Sequence, residues 1–111
     1  MTRDPGLEAQ LAEDFGHPGS LSGRAMFGGW CFLLNGNMLG AARAGRAMFR
    51  VGRAAEADAL TLPGTQPMSQ GGRARPGFLW LSGPLLSDDG IRRRLAAMAL
   101  AHVSTLPPKD A

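Results

Sequence analysis

An Asn-Gly pair set between two apolar runs constrains this chain more than any other feature. Residues 24–51 read Arg24-Ala-Met-Phe-Gly-Gly-Trp-Cys-Phe-Leu-Leu-Asn-Gly-Asn-Met-Leu-Gly and continue to Met48-Phe-Arg-Val51. Asn35 and Gly36 both tolerate the positive φ of a type I′ turn, the turn that best matches the twist of two antiparallel strands. Trp30 to Leu34 is therefore expected to be one strand and Met38 to Arg43 its return. Trp30 to Leu34 is apolar at every position, as in a central strand covered on at least one face. Ala44-Gly45 predicts a second turn into Arg46–Val51, where Phe49 and Val51 alternate with Met48 and Arg50. Gly28-Gly29 is expected to host a tight turn or bulge. The stretch predicts three to four consecutive antiparallel strands.

Helices are expected on either side of the sheet region. Asp4 can cap a first helix with Pro5 in its opening turn, and Leu7, Leu11 and Phe15 recur on one face until Gly16 ends it. Arg53 to Leu62 is rich in Ala and permits a middle helix ended by Pro63-Gly64. Gly64 to Gly77 reads as one long irregular connection with a short edge strand around Met68, followed by an apolar strand, Phe78 to Leu81. In the last helix Ser87 is the expected cap, Asp88 and Asp89 lie in the first turn, and Pro107-Pro108 is the stop. Ile91, Leu95, Met98, Ala99, His102 and Leu106 share its apolar face, which leaves Arg92, Arg93 and Arg94 to solvent.

At 111 residues the chain is long enough for one domain, expected to span 1–111. An apolar fraction of 44% with 19% charge is that of a globular protein and argues against disorder. The lone Cys31 cannot form an internal disulfide, the N-terminus shows no secretory pattern, and no run approaches a membrane span. The expected location is the cytoplasm. The net charge of +3 permits an acidic partner, nucleic acid included, but the arginines are scattered among acids.

The residue types that carry chemistry are not gathered. His102 is expected as a packed, hydrogen-bonded helix residue and His17 as a surface residue in a Gly/Pro turn; neither has a partner at metal-ligand spacing. Cys31 lies inside an apolar strand, where burial works against a thiolate, and reads as a small core residue. The glycines match neither a phosphate loop nor a dinucleotide fingerprint. Arg92 to Arg94 point three ways from a helix, a poor grip for phosphate. No catalytic residue, metal site or cofactor is expected.

Gly23-Arg24-Ala25-Met26-Phe27-Gly28-Gly29, followed by Phe32 and Asn35-Gly36-Asn37-Met38, resembles the N-terminal domain of TfoX/Sxy family proteins. Phe49-Arg50-Val51-Gly52, Pro67-Met68, Gly77-Phe78 and Leu106-Pro107-Pro108-Lys109 follow in the family's order, so the resemblance covers about residues 5–109. It implies a two-layer α+β fold of the secretion-chaperone-like kind. Four to six antiparallel strands would carry an N-terminal, a middle and a C-terminal helix mainly on one face. The family's name-giving members are regulators of natural competence that act with a cyclic-AMP-dependent transcription activator and carry a C-terminal domain. This chain is expected to be a stand-alone N-terminal domain. No catalytic set carries over.

These readings lead to a non-enzymatic regulator or adaptor acting through protein contacts, in transcriptional or competence regulation. Arg24, Met26, Phe27, Gly28 and Gly29 are the candidate interaction motif, and a homodimer could form through an edge strand or the sheet's uncovered face. The bland reading makes that motif structural. The alternative is direct nucleic-acid binding through Arg43, Arg46, Arg50 and Arg53, with Arg73 and Arg75 nearby. A small-molecule or enzymatic role would need a deep pocket holding a titratable residue.

Overall fold

The computed structural model describes residues 3–16, 21–26 and 28–109. The first helix, α1, spans Pro5–Phe15, and its N-terminus is held by Asp4, whose carboxylate accepts from the Leu7 amide at 3.2 Å. Four strands follow: β1 (Leu21–Met26), β2 (Gly29–Leu34), β3 (Asn37–Arg43) and β4 (Arg46–Arg50). A short helix, α2 (Arg53–Ala59), leads to β5 (Thr65–Gln70) and β6 (Arg73–Ser82). A 3₁₀ turn over Gly83–Ser87 then delivers the chain to α3 (Asp89–Val103).

All six strands form one antiparallel sheet in the order β1-β2-β3-β4-β6-β5. The β2–β3 turn has φ of 52° at Asn35 and 81° at Gly36, the two positive values that the Asn-Gly pair predicts. The helices cover one face of the sheet. Leu7, Leu11 and Phe15 from α1 and Leu95, Ala96, Ala99 and Val103 from α3 bury against Phe32, Leu39, Phe49, Leu79 and Leu81. The Phe15 ring sits 5.3 Å from that of Phe32 and 6.2 Å from that of Phe49. Each such fully buried large side chain contributes about 1.5–3 kcal/mol, so this layer is the main source of stability.

Four expectations are corrected. The segment 64–77 is not an irregular connection: it holds β5 and the first half of β6, and β5 pairs back along β6 as far as Leu81 in a hairpin through Gly71-Gly72. The α3 cap is Asp88, one residue past Ser87; its carboxylate accepts from the Ile91 amide at 2.9 Å, and Ser87 ends the 3₁₀ turn. The middle helix stops at Ala59 rather than Leu62, where Thr61 and Leu62 turn back onto Asp58 and Ala59. Arg92 is not at the surface. Its side chain is 3% exposed, with Nε donating to Asp14 at 2.8 Å, one terminal nitrogen to the Leu86 carbonyl at 2.8 Å, and the other to Asp89. The Asp14 side chain is equally buried, so this pair welds α1 to α3.

Residues 107–109 are also held in place. The Lys109 amide donates to the Asn35 carbonyl at 2.8 Å, and Asn37 Nδ2 donates to the Pro107 carbonyl at 2.9 Å. Residues 107–109 thus lie across the β2–β3 turn. None of the described helices is long and apolar enough to cross a membrane.

Candidate functional site

The inner strands are largely apolar on both faces, yet helices cover only one. On the other, the ladder aligns Arg24, Cys31, Ala41, Met48, Trp80 and Gln66 as successive neighbours across all six strands. Cys31, Ala41 and Met48 are buried there, with Met26, Met38, Met68, Phe78 and Trp80 half-buried around them. The same face carries Arg43 opposite Arg46, and Arg50 opposite Phe78.

The face is hollow. A cavity of about 360 Å³ is floored by Cys31, Ala41 and Met48, with Met26 from one outer strand and Met68 from the other. Because β1 and β5 are opposite edges of the sheet, their presence around one cavity means that the sheet coils toward this side. Gly77 supplies part of the bend. Its φ is +87°, its carbonyl accepts from both Val51 and Gly52 amides, and its own amide donates to Glu56 Oε1 at 2.7 Å. This break and the register shift between Pro67 and Ser69 in β5 interrupt the regular ladder of the outer hairpin.

Arginines ring the opening. Arg43, Arg46 and Arg75 line the cavity; the Arg46 guanidinium lies 3.9 Å from the Trp80 ring centroid, and Arg50 and Arg75 lie 5.4 and 5.6 Å from that of Phe78. Stacking fixes these heads, and Arg50 also donates a terminal nitrogen to the Met38 carbonyl at 3.4 Å. Among the described residues, no carboxylate lines the cavity. Among the described residues the ion pairs are Arg3–Glu8, Arg92–Asp14, Arg92–Asp89 and Arg93–Asp14, all away from this face. Burial pushes the Cys31 thiol above its ordinary value, so it is a neutral, apolar part of the floor at neutral pH.

The structure brings much of both candidate sets to one place. Met26 lines the cavity, and Arg24 sits on the same face opposite Cys31. Gly28 and Gly29 form a shelf for Arg43: a Cβ on Gly29 would fall 2.7 Å from Arg43 Cγ and 2.5 Å from the Ala42 carbonyl oxygen. One on Gly28 would fall 3.6 Å from an Arg43 terminal nitrogen. Phe27 lies outside the described residues, as does His17. Arg53 stands apart, in the first turn of α2, lining a shallower cleft with His102, whose half-buried ring lies against Gly52. Arg73 is exposed at the start of β6, beside the hairpin turn. The reading of the residues missed the methionines and Trp80 as a group. The available signal was Phe78-Leu79-Trp80-Leu81, apolar in both phases, which requires a second covered face.

Residues 13–103 match the family model of the TfoX N-terminal domain. The chain belongs to the TfoX N-terminal domain family. No curated protein and no solved structure matches it. The TfoX match takes in the whole sheet and α2, so the hollow face is built entirely from residues inside the family domain. Among the described residues of this TfoX domain, no three His, Cys, Asp or Glu side chains are grouped to hold a metal ion.

Proposed function

We propose that the chain is a non-enzymatic regulator or adaptor of the TfoX kind, working in the cytoplasm through protein contacts made along β1. The observation that carries this reading is the free edge of that strand. Among the described residues β1 pairs with β2 alone, and Ser22 to Ala25 are exposed. An open edge offers a row of unpaired amides and carbonyls, the template used when an extended segment adds to a sheet. The opposite edge, β5, is blunted by Pro67 and its register shift, whereas β1 has neither device. Arg24 projects beside this edge and Met26 ends it, so part of the Met-Phe-Gly-Gly motif sits where a partner strand would pair. The partner is another protein or a second copy of this chain, and the setting is transcriptional regulation, as the resemblance to competence regulators implies.

The test is affinity purification from native cells, with and without nuclease, using the wild type and a Ser22→Lys, Ala25→Lys variant. Light scattering reports self-association. A nuclease-resistant partner or a dimer that the double variant loses supports strand addition. A wild type that stays monomeric and recovers nothing above background removes it. A nuclease-sensitive association favours the second reading, nucleic-acid contact through Arg43, Arg46 and Arg50. That reading draws on the arginines stacked on Trp80 and Phe78, and it requires affinity that falls steeply with salt.

A further inference from the structure

We propose that the cavity on the uncovered sheet face binds a small amphipathic anion: a short apolar or aromatic body with one carboxylate or phosphate head. The body would lie on Cys31, Ala41 and Met48, and the head would meet Arg43 and Arg46. This inference is independent of strand addition at β1.

Three observations combine. The first is the size and lining of the cavity. At about 360 Å³ it falls at the lower end of the range of ligand pockets, and its walls are thioether, thiol, methyl and aromatic groups. Methionines at four points around it can adjust to an occupant without one fixed geometry. The second is unbalanced charge. Arg43 and Arg46 occupy directly opposed positions of neighbouring strands, where like charges repel, and among the described residues no carboxylate lines the cavity to relieve them. An anion placed between the two converts that repulsion into two charge-assisted hydrogen bonds. The third is preorganisation. Arg46 is stacked on Trp80, and Arg43 rests on the shelf of Gly28 and Gly29, so both heads are held at the mouth before a ligand arrives. The Gly-Gly pair thereby has a role at this site beyond making a turn, since a side chain at Gly29 would displace Arg43.

A cation is disfavoured by the three guanidiniums, and a neutral apolar molecule would leave them unpaired. A body longer than the cavity would emerge between Met26 and Met68, the side chains of the two sheet edges.

The test is a calorimetric titration of the intact chain with four eight-carbon probes: octanoate, octyl phosphate, 1-octanol and octylamine. Trp80 fluorescence in a Trp30→Phe background locates binding, because Trp30 packs with the helix-covered core and Trp80 with the cavity. At least one anion is expected to bind ten times more tightly than the alcohol and to change Trp80 emission; which anion does so separates carboxylate from phosphate recognition. Arg43→Gln and Arg46→Gln should each weaken the anion roughly fivefold to tenfold and leave the alcohol unchanged, as loss of one charge-assisted contact at a wet rim implies. Ala41→Leu should fill the floor and abolish binding of every probe. If that variant fails to fold, Ala41→Val takes its place and should weaken every probe. Equal affinity for anion and alcohol, binding that ignores the arginine changes, binding undiminished when the floor is filled, or no binding at all would each overturn the proposal.

Discussion

Replacing Arg92 with Met would leave the buried Asp14 carboxylate with only the longer Arg93 contact at 3.8 Å, and removal of one member of such a buried pair typically costs about 3–5 kcal/mol. Since a domain of this size holds about 5–15 kcal/mol in total, the variant should melt far below the wild type. Urea unfolding measures the loss, and a change under about 1 kcal/mol would mean that the pair is not what joins α1 to α3. A second replacement, Asp14→Leu, should restore part of the stability by removing the orphaned charge. Nothing in the local sequence announces this pair. Arg92 falls among three consecutive arginines on a helix, a pattern that reads as solvated surface, and its partner lies 78 residues away. Gly29 makes a smaller claim at the same scale. Gly29→Ala should destabilise the chain, because its methyl would meet both the Ala42 carbonyl and the Arg43 stem, and thermal unfolding would detect it.

Among the elements, the break at Gly77 in the β5–β6 hairpin is held by a side chain from outside it. Glu56 in α2 accepts from the buried Gly77 amide, at the break in the hairpin's ladder. Glu56→Ala would leave that amide unpaired at a cost of about 1–3 kcal/mol, while Glu56→Gln keeps an acceptor and should cost less. Amide exchange across residues 65–78 should quicken in the Ala variant; unchanged protection would show that Glu56 does not set the bend. This hairpin is also the element that sequence patterning concealed. Its outer half is exposed on both sides, so Thr65 to Pro76 shows no alternation, and Gly71-Gly72 reads as loop rather than turn. By contrast, α1 and the β2–β3 hairpin were legible because their signals are local: Asp4 and Pro5 at a helix start, Asn35-Gly36 at a turn. The α3 cap shifted by one residue because Ser87, Asp88 and Asp89 are all competent to accept from a first-turn amide, and the 3₁₀ turn claims Ser87.

For the molecule as a whole, acid should be the condition that loosens it. The hydrogen bond from Arg3 holds the Glu8 carboxyl below its ordinary range, and that from Arg92 does the same for Asp89. A carboxyl with a lowered folded-state pKa contributes stability that is complete above the ordinary carboxylate range and is lost as pH falls through the lowered value. Thermal midpoints should therefore hold steady near neutrality and begin to drop below about pH 4. A midpoint that rises on acidification would contradict both pairings. The two faces of the sheet divide the molecule's work in physical terms. The helix-covered face supplies the buried aliphatic layer, and the uncovered face exposes sulfur, indole and guanidinium with little share in that layer. The candidate motif and the basic residues were legible as two separate sets, since the bulge between Phe32 and Leu33 and the coil of the sheet, which bring Met26 and Arg43 to one cavity, arise only from three-dimensional pairing.

The strap of residues 107–109 over the Asn35-Gly36 bend gives the chain a clasp. Its asparagine contact spans 70 residues, so it cannot latch until α3 has docked. Solvent exchange at the Lys109 amide then times the last act of folding, and trimming the chain after Leu106 should let the bend fray while the packed layer beneath keeps its cooperativity.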